Sequence, residues 1–283
     1  MKDSYYDGKV AVVTGAGGTL CSRIAVNLAN KGARVVLIGR TPEKLEAVAE
    51  EIRKNGGICE IRAADVTDET AIQKIADEIK EKWGSCRFLI NGAGGNNINA
   101  MTQNVQFDPL EISEDKPADM KGFFDVDMSA FESVLKINTM GTVIPSRIFA
   151  RQMAEAGAGN IINFASMNSY RPLTRVAPYA MSKAAIVNLT QWLATYFATA
   201  NIRVNAIAPG FFVNDRSVKY LGTPETGLTA RGQNVINHTP MGKFGHADDL
   251  LGTVDFLTDD RAAAFVTGIT VPVDGGFLSH SGI

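Results

Sequence analysis

A chain of 283 residues, 45% hydrophobic and 20% charged, can bury the core of one large α/β domain or two small ones, and it is neither disordered nor fibrous in composition. A net charge of -2 offers no nucleic-acid footprint and no acidic tail, so the expected partner is a small molecule. The start, MKDSYYDGKV, has no signal-peptide apolar stretch, and no run reaches the roughly 18 apolar residues of a membrane span, which gives the expectation of a cytoplasmic protein without a membrane partner.

Short β-branched runs alternate with helical patterns along the chain. KVAVVTG at 9–15 precedes a helix at about 20–31, ARVVLIG at 33–39 precedes a helix opened by Thr41-Pro42, and ICEIRAADV precedes a helix at about 69–82. RFLINGAG, a long helix near 129–155, NIINFAS, a helix carrying YAMSK, IRVNAIAPG, a helix near 247–258 and GITVPVDGG complete the series. Strands buried on both faces between helices of this length predict a doubly wound parallel sheet, a single-domain Rossmann fold over residues 1–283. Two segments break the rhythm: a polar insertion near 95–128 and a Gly-, Pro- and Asn-bearing stretch near 211–244, read as a substrate lid. Cys21, Cys59 and Cys86 form no C-x-x-C pair, and His238, His246 and His280 are the only histidines, so neither a disulfide framework nor a metal site is expected.

TGAGGTLCSR, Thr14 to Arg23, is a glycine-rich turn leading from a buried strand into a helix. Such a turn brings backbone N–H groups and a helix N-terminus toward a phosphate, because no side chain blocks the approach. Further along, Tyr179 and Lys183 stand four apart on one helix face, where the phenol and the ammonium reach the same space. Spacing alone leaves open whether they serve chemistry or pack with a snorkelling lysine.

With TGAGGTLC, Asp65-Val66, NGAG at 91–94, Asn138, Ser166 thirteen residues before Tyr179, Lys183 and NAIAPG at 205–210, the chain resembles the short-chain dehydrogenase/reductase family over essentially its whole length. One departure stands out. The family turn T-G-x-x-x-G-x-G would place glycines at Thr19 and Cys21, so only Gly15 carries over directly, with Thr19 and Leu20 expected near the phosphates. The resemblance implies a catalytic set of Asn138, Ser166, Tyr179 and Lys183. In it Asn138 anchors a water relay to the lysine, and Lys183 also holds the nicotinamide ribose. It further implies cofactor contacts from Asp65, Val66, Asn91, Gly92, Ala93, Pro209 and Gly210, and a homotetramer.

The chemistry also follows from the side chains. Reducing a ketone develops negative charge on oxygen and requires a proton donor within reach, a task Tyr179 can perform. A neighbouring ammonium is expected to lower the phenol's pKa, and Ser166 to hydrogen-bond the reacting oxygen. At the end of the second strand Gly39-Arg40 stands where a carboxylate would bind the ribose hydroxyl of NAD. An arginine there can pair with a 2′-phosphate, which favours NADP over NAD, although stacking on adenine would suit either.

Within the family the stretches NGAGGNN, SMNSYRPLTR, NLTQWLA, APGFF and HTPMGKFG are most similar to the D-mannonate oxidoreductase (fructuronate reductase) group. That implies a sugar-acid substrate. A hexuronate calls for an arginine and several amides around its carbonyl, and Asn96, Asn97, Asn168 and Arg171 are the candidates, with Arg175, Arg231 and His238 further out. Reduction of another ketone, such as 5-keto-D-gluconate or a 3-oxoacyl thioester, and a nucleotide-binding sensor without catalysis remain the alternatives.

Overall fold

The computed structural model describes residues 4–214, 217–223 and 227–281. A seven-stranded sheet contains β1 (Val10–Thr14), β2 (Arg34–Gly39), β3 (Ile58–Ala63), β4 (Cys86–Asn91), β5 (Gly159–Phe164) and β6 (Ile202–Pro209). A two-residue hairpin, β7 (Gly222–Thr223) and β8 (Gly227–Leu228), lies apart, and β9 (Thr270–Val273) closes the large sheet. The order is β3-β2-β1-β4-β5-β6-β9, with every neighbour parallel. The winding direction reverses between β1 and β4, so a crevice opens at their carboxyl ends, the place where such sheets bind ligands.

The strands alternate between two cores. Ala11, Val13, Val35, Leu37, Phe88 and Ile90 pack against α1 (Thr19–Asn30) and α2 (Pro42–Lys54). Val10, Val12, Val36, Ile38 and Leu89 pack on the other face against α3 (Glu69–Trp83) and α4 (Met128–Ala156), with α5 (Ala177–Phe197) beside them. The ends of the helices follow local chemistry. Pro42 opens α2, Asp68 accepts from Ala71 N at the start of α3, and Asp127 accepts from Ser129 N and Ala130 N at the start of α4.

The elements predicted from periodicity occupy the expected places within one to three residues at most ends. The exceptions are short. The segment 211–244 carries α6 (Val218–Leu221), the β7–β8 hairpin and α7 (Ala230–Asn237), none of which the pattern announced, because pieces of two to eight residues give periodicity too little length to register. Residues 215–216 and 224–226 of the expected lid lie outside the described residues. After the lid come α8 (Leu251–Thr258), shorter than predicted because its first turn is 3-10, and α9 (Asp260–Ala263). The insertion 95–128 holds only short 3-10 turns, secured by the buried Glu111, which accepts from Asn104 Nδ2 at 2.8 Å, and by Lys121 Nζ, which donates to Asn99 O at 2.8 Å. Among the described residues no helix is long and apolar enough to cross a membrane.

Candidate active site

A cavity of about 550 Å³ occupies the crevice. Its wall includes Gly15, Thr19, Leu20, Arg40, Asp65, Val66, Gly92 and Ala93, all expected on the cofactor side. Backbone makes the closest wall. Gly15 has φ +66°, and a Cβ there would come within 2.8 Å of Gly92 O and 2.9 Å of Ala93 N. Thr14, fully buried, fastens the two strand ends: its Oγ1 accepts from Gly92 N at 3.1 Å and Ala93 N at 3.2 Å.

The departure from the glycine pattern has a structural counterpart. Cys21 turns its thiol toward Gly92, and a Cβ on Gly92 would collide with that sulfur. The missing glycine of the turn is thus compensated by a glycine across the crevice. Burial pushes the Cys21 thiol up to about 12, so it behaves as a small apolar group. Gly17, Gly18, Lys44, Phe164 and Asn214 also line the cavity, and sequence reasoning did not assign them. Lys44 had a signal: it lies one helical turn beyond Arg40 and Thr41, which share the wall.

Asp65 accepts from the backbone N–H and the hydroxyl of Thr67, both at 2.8 Å. Those bonds hold its carboxyl below the usual range, with a further contribution from the charge of Arg40. Asn91, expected on the cofactor side, does not line the cavity with its amide. Its Nδ2 donates to Ser146 Oγ at 2.8 Å and Asn163 Oδ1 at 2.9 Å, and Asn163 donates to Thr190 Oγ1 at 3.0 Å. The side chain therefore links β4 to β5 and to the helices behind them. Pro209 and Gly210 are at the end of β6, outside this cavity's wall, where Gly210 N donates to Val273 O at 2.9 Å.

Of the expected catalytic set, Lys183 and Asn138 adjoin the cavity wall from behind, at Phe164 and Gly94, and Tyr179 lies beside the lysine; none of the four lines the cavity itself. Ser166 follows β5 and caps a 3-10 turn over Met167–Ser169. Its Oγ accepts from Asn168 N at 3.2 Å and Asn168 Nδ2 at 3.3 Å. Tyr179 lies in the first turn of α5 behind Pro178. Lys183, one turn on, is buried and donates from Nζ to Phe164 O at 2.7 Å. Asn138, fully buried in α4, donates from Nδ2 to Gly95 O at 2.8 Å while its Oδ1 accepts from Gly95 N at 3.1 Å. Gly94 lies between Asn138 and Lys183: a Cβ there would have Asn138 Oδ1 and Lys183 Nζ as its near neighbours.

One electrostatic expectation is corrected. Tyr179 was expected to be acidified by Lys183, yet burial raises its pKa, and the influence opposing that rise is the Ser166 side chain, not the lysine. The lysine's ammonium is committed to Phe164 O and lies 5.7 Å from the phenol ring centroid. Burial also lowers Lys183 to about 8. Desolvation penalises both charged forms, so the chain by itself holds a protonated phenol beside an amine that titrates near neutrality.

The proposed substrate amides are largely occupied. Asn168 is buried, and its Oδ1 accepts from Leu173 N at 2.9 Å, so it orients Ser166 and the following loop. Asn97 Oδ1 accepts from Asn99 N at 3.0 Å, and the exposed Asn96 accepts from Asn97 N at 2.9 Å. Arg171 is exposed and donates from Nη1 to His280 O at 2.6 Å. Arg175 adopts a left-handed φ of 75°, a strained conformation for its type, and its carbonyl accepts from Thr102 N of the insertion. Arg231 is on α7, exposed, and His238 caps that helix.

The sequence profile of the short chain dehydrogenase family matches residues 9–221. An uncharacterized oxidoreductase of Haemophilus influenzae is 41% identical over 277 residues, covering 98% of this chain and 95% of the relative. A crystal structure of a protein from the same source with bound NAD, provisionally assigned as a D-mannonate oxidoreductase, matches with a TM-score of 0.91 and 40% identity over 100% of this chain and 98% of that one. The gluconate 5-dehydrogenase of Burkholderia cenocepacia J2315, solved with NADP and tartrate, matches with a TM-score of 0.78 and 28% identity over 96% of each chain.

Proposed function

The chain belongs to the short-chain dehydrogenase family of oxidoreductases acting on alcohol groups, and from that premise we propose that it interconverts a keto sugar acid and its hydroxy acid with NADP(H), the pair being D-fructuronate and D-mannonate. The observation that supports this reading is the buried Lys183, which lies beside Tyr179 and donates to the carbonyl of Phe164, a residue in the wall of a crevice lined by glycine backbone.

The crevice fits a dinucleotide: its walls approach so closely at Gly15 and Gly92 that side chains are excluded, leaving backbone N–H groups and the start of α1 for a pyrophosphate. Arg40 and Thr41 follow β2 and Lys44 lies in the first turn of α2, while Asp65, the carboxylate on the same wall, stands beyond β3 and is engaged by Thr67; this arrangement supports a 2′-phosphate and hence NADP(H). Solved relatives carry NAD in one case and NADP in another, so the preference rests on these side chains. Bound nicotinamide supplies the hydride for reduction and takes it up in oxidation.

The side chains perform the remaining work. Tyr179, kept protonated by burial, donates its phenolic proton to the carbonyl oxygen as negative charge develops there, and recovers it in the oxidative direction. Ser166, whose oxygen already accepts two N–H groups from Asn168, has its own O–H as the donor toward the same oxygen. Lys183, held by Phe164 O, has further N–H donors for the nicotinamide ribose, as the family resemblance implies. Asn138 fixes Gly95 and with it the turn that separates the lysine from the insertion.

The sugar-acid assignment draws on the structural match to the Haemophilus protein and on a relative crystallised with tartrate, a hydroxy dicarboxylate. We read the enzyme as a cytoplasmic homotetramer. Trp192 and Tyr196, stacked at 4.8 Å and largely exposed on α5, support an assembly through that helix. Product analysis tests the assignment: with NADPH and D-fructuronate, chromatography against standards should give D-mannonate alone, and its epimer at the reduced carbon would contradict the named pair.

A further inference from the structure

Three adjacent strands of the sheet, β5, β6 and β9, send their carboxyl-terminal segments to the same edge. The loop after β5 carries Arg171, whose backbone N–H donates to Met167 O at 3.0 Å, so the arginine sits just beyond the turn capped by Ser166. The lid after β6 carries His238 at the end of α7. The segment after β9 carries His280.

That last segment is folded back by its own chemistry. The carboxylate of Asp274 accepts from Gly276 N and Leu278 N, each at 2.9 Å, while Gly275 and Gly276 take φ of 64° and 89°. Met241 N donates to Gly275 O at 3.1 Å, and the ring of Phe277 meets Phe211 edge-on at 5.4 Å. The chain is thereby laid across the lid. His280 arrives with its ring 5.8 Å from that of His238, at 79°, and its carbonyl accepts from Arg171.

The three side chains share a second property. Elsewhere in the molecule Arg23, Arg53, Arg87 and Arg203 reach carboxylates, whereas Arg34 and Arg40 reach none among the described residues. Among the described residues, Arg171, His238 and His280 have no carboxylate within ion-pair distance. Arg171 uses one of its five N–H donors on the His280 carbonyl, and His238 uses Nδ1 on Asn234 O at 2.8 Å, leaving Nε2 for a ligand. A cationic group one turn from Ser166, with most of its donors unspent and no internal counter-ion, suits an anion on the substrate.

We propose that Arg171, His238 and His280 form the subsite for the substrate's carboxylate, and that the C-terminal segment is therefore part of the active site. This rests on the reading of the substrate as a keto acid. The guanidinium supplies the ionic pairing and the imidazoles supply ring nitrogens at its side, so the acid end of the substrate is fixed while its carbonyl lies toward Ser166 and Tyr179.

The test compares each keto acid with its neutral counterpart, in which the carboxylate is a hydroxymethyl group: D-fructuronate with D-fructose, and 5-keto-D-gluconate with L-sorbose. Wild type should prefer the acid, and Arg171→Ala should cut the acid-to-neutral ratio of kcat/KM about 10- to 100-fold, mainly through KM, as expected for the loss of a charge-assisted contact. Arg171→Gln, which can still donate to the His280 carbonyl, should lose the same selectivity; His280→Ala should lose part of it. NADPH dissociation constants of the variants should stay within about twofold of wild type on this account, since cofactor and carboxylate occupy separate parts of the cleft. A wild-type ratio retained by Arg171→Gln would make the contact a latch and overturn the proposal. So would absence of acid preference in wild type with both pairs. Preference for 5-keto-D-gluconate over L-sorbose without preference for D-fructuronate over D-fructose would reject the named substrate and leave the subsite standing.

Discussion

The two halves of the cleft are built by different means. On the cofactor side the walls are backbone: Gly15 against Gly92 and Ala93, joined through Thr14, with Cys21 filling the space a side chain at 92 would need. On the proposed substrate side stand loops, the insertion 95–128 and the described parts of 211–244, held by individual side-chain bonds such as Asn104 to Glu111 and Thr229 to Tyr220 O. The first half is constrained by approach distances that leave few residue choices. The second is constrained by contacts that many sequences could make, which is where enzymes of one fold diverge in substrate.

Substitutions sharpen that contrast. The largest effect is expected at the shared edge of the halves: Tyr179→Phe should lower kcat about 10²- to 10⁴-fold while NADPH binding, followed by its fluorescence, is retained, and undiminished turnover would remove the proton-transfer role. Next is Gly92→Ala, whose added methyl meets the Cys21 sulfur and should destabilise the fold by about 1–3 kcal/mol in thermal or urea melts. Placing Cys21→Gly in the same chain should recover part of that loss. No recovery in the double variant would show that the two positions are not coupled.

Smaller changes probe each half by itself. Arg40→Ser should shift the NADPH-to-NADH ratio of kcat/KM about tenfold toward NADH, in line with loss of one charge-assisted contact; an unchanged ratio would place the selectivity elsewhere. The titration of Lys183 gives a weaker but two-sided effect. Its pKa falls on folding from 10.5 to about 8, so between those values the unfolded chain binds more protons and stability from this group rises with pH. Below that window both states are protonated and the burial cost is present in full. Reductive kcat/KM should fall through the same window as the ammonium is lost, so activity and stability move in opposite directions above pH 8. A parallel fall of both would contradict the assignment of this pKa to Lys183.

Much of the cofactor half was legible because its signals are local. A glycine turn after a buried strand, an arginine closing the second strand and a phenol four residues before a lysine all sit within short windows where backbone geometry limits the choices. Even there, the amide of Asn91 went undetected as a strut between β4 and β5, because its partners Ser146 and Asn163 are far away in sequence. The same limit hid the Cys21–Gly92 contact and the sign of the Tyr179 shift, which depends on burial and on where the lysine's hydrogen bond goes. On the substrate side, Asn97 and Asn168 were visible as polar residues near the catalytic strands, but their side chains serve backbone N–H groups that no linear pattern reveals. His280 beside His238 depends on a turn set by Asp274 and two glycines, a three-segment arrangement with no signature in sequence.

The most direct test of the account is a set of initial rates for the wild-type enzyme, with NADPH and NADH each offered D-fructuronate, 5-keto-D-gluconate and a 3-oxoacyl thioester. D-Fructuronate with NADPH should give the highest kcat/KM. A 3-oxoacyl thioester reduced faster than either keto acid would contradict the sugar-acid assignment.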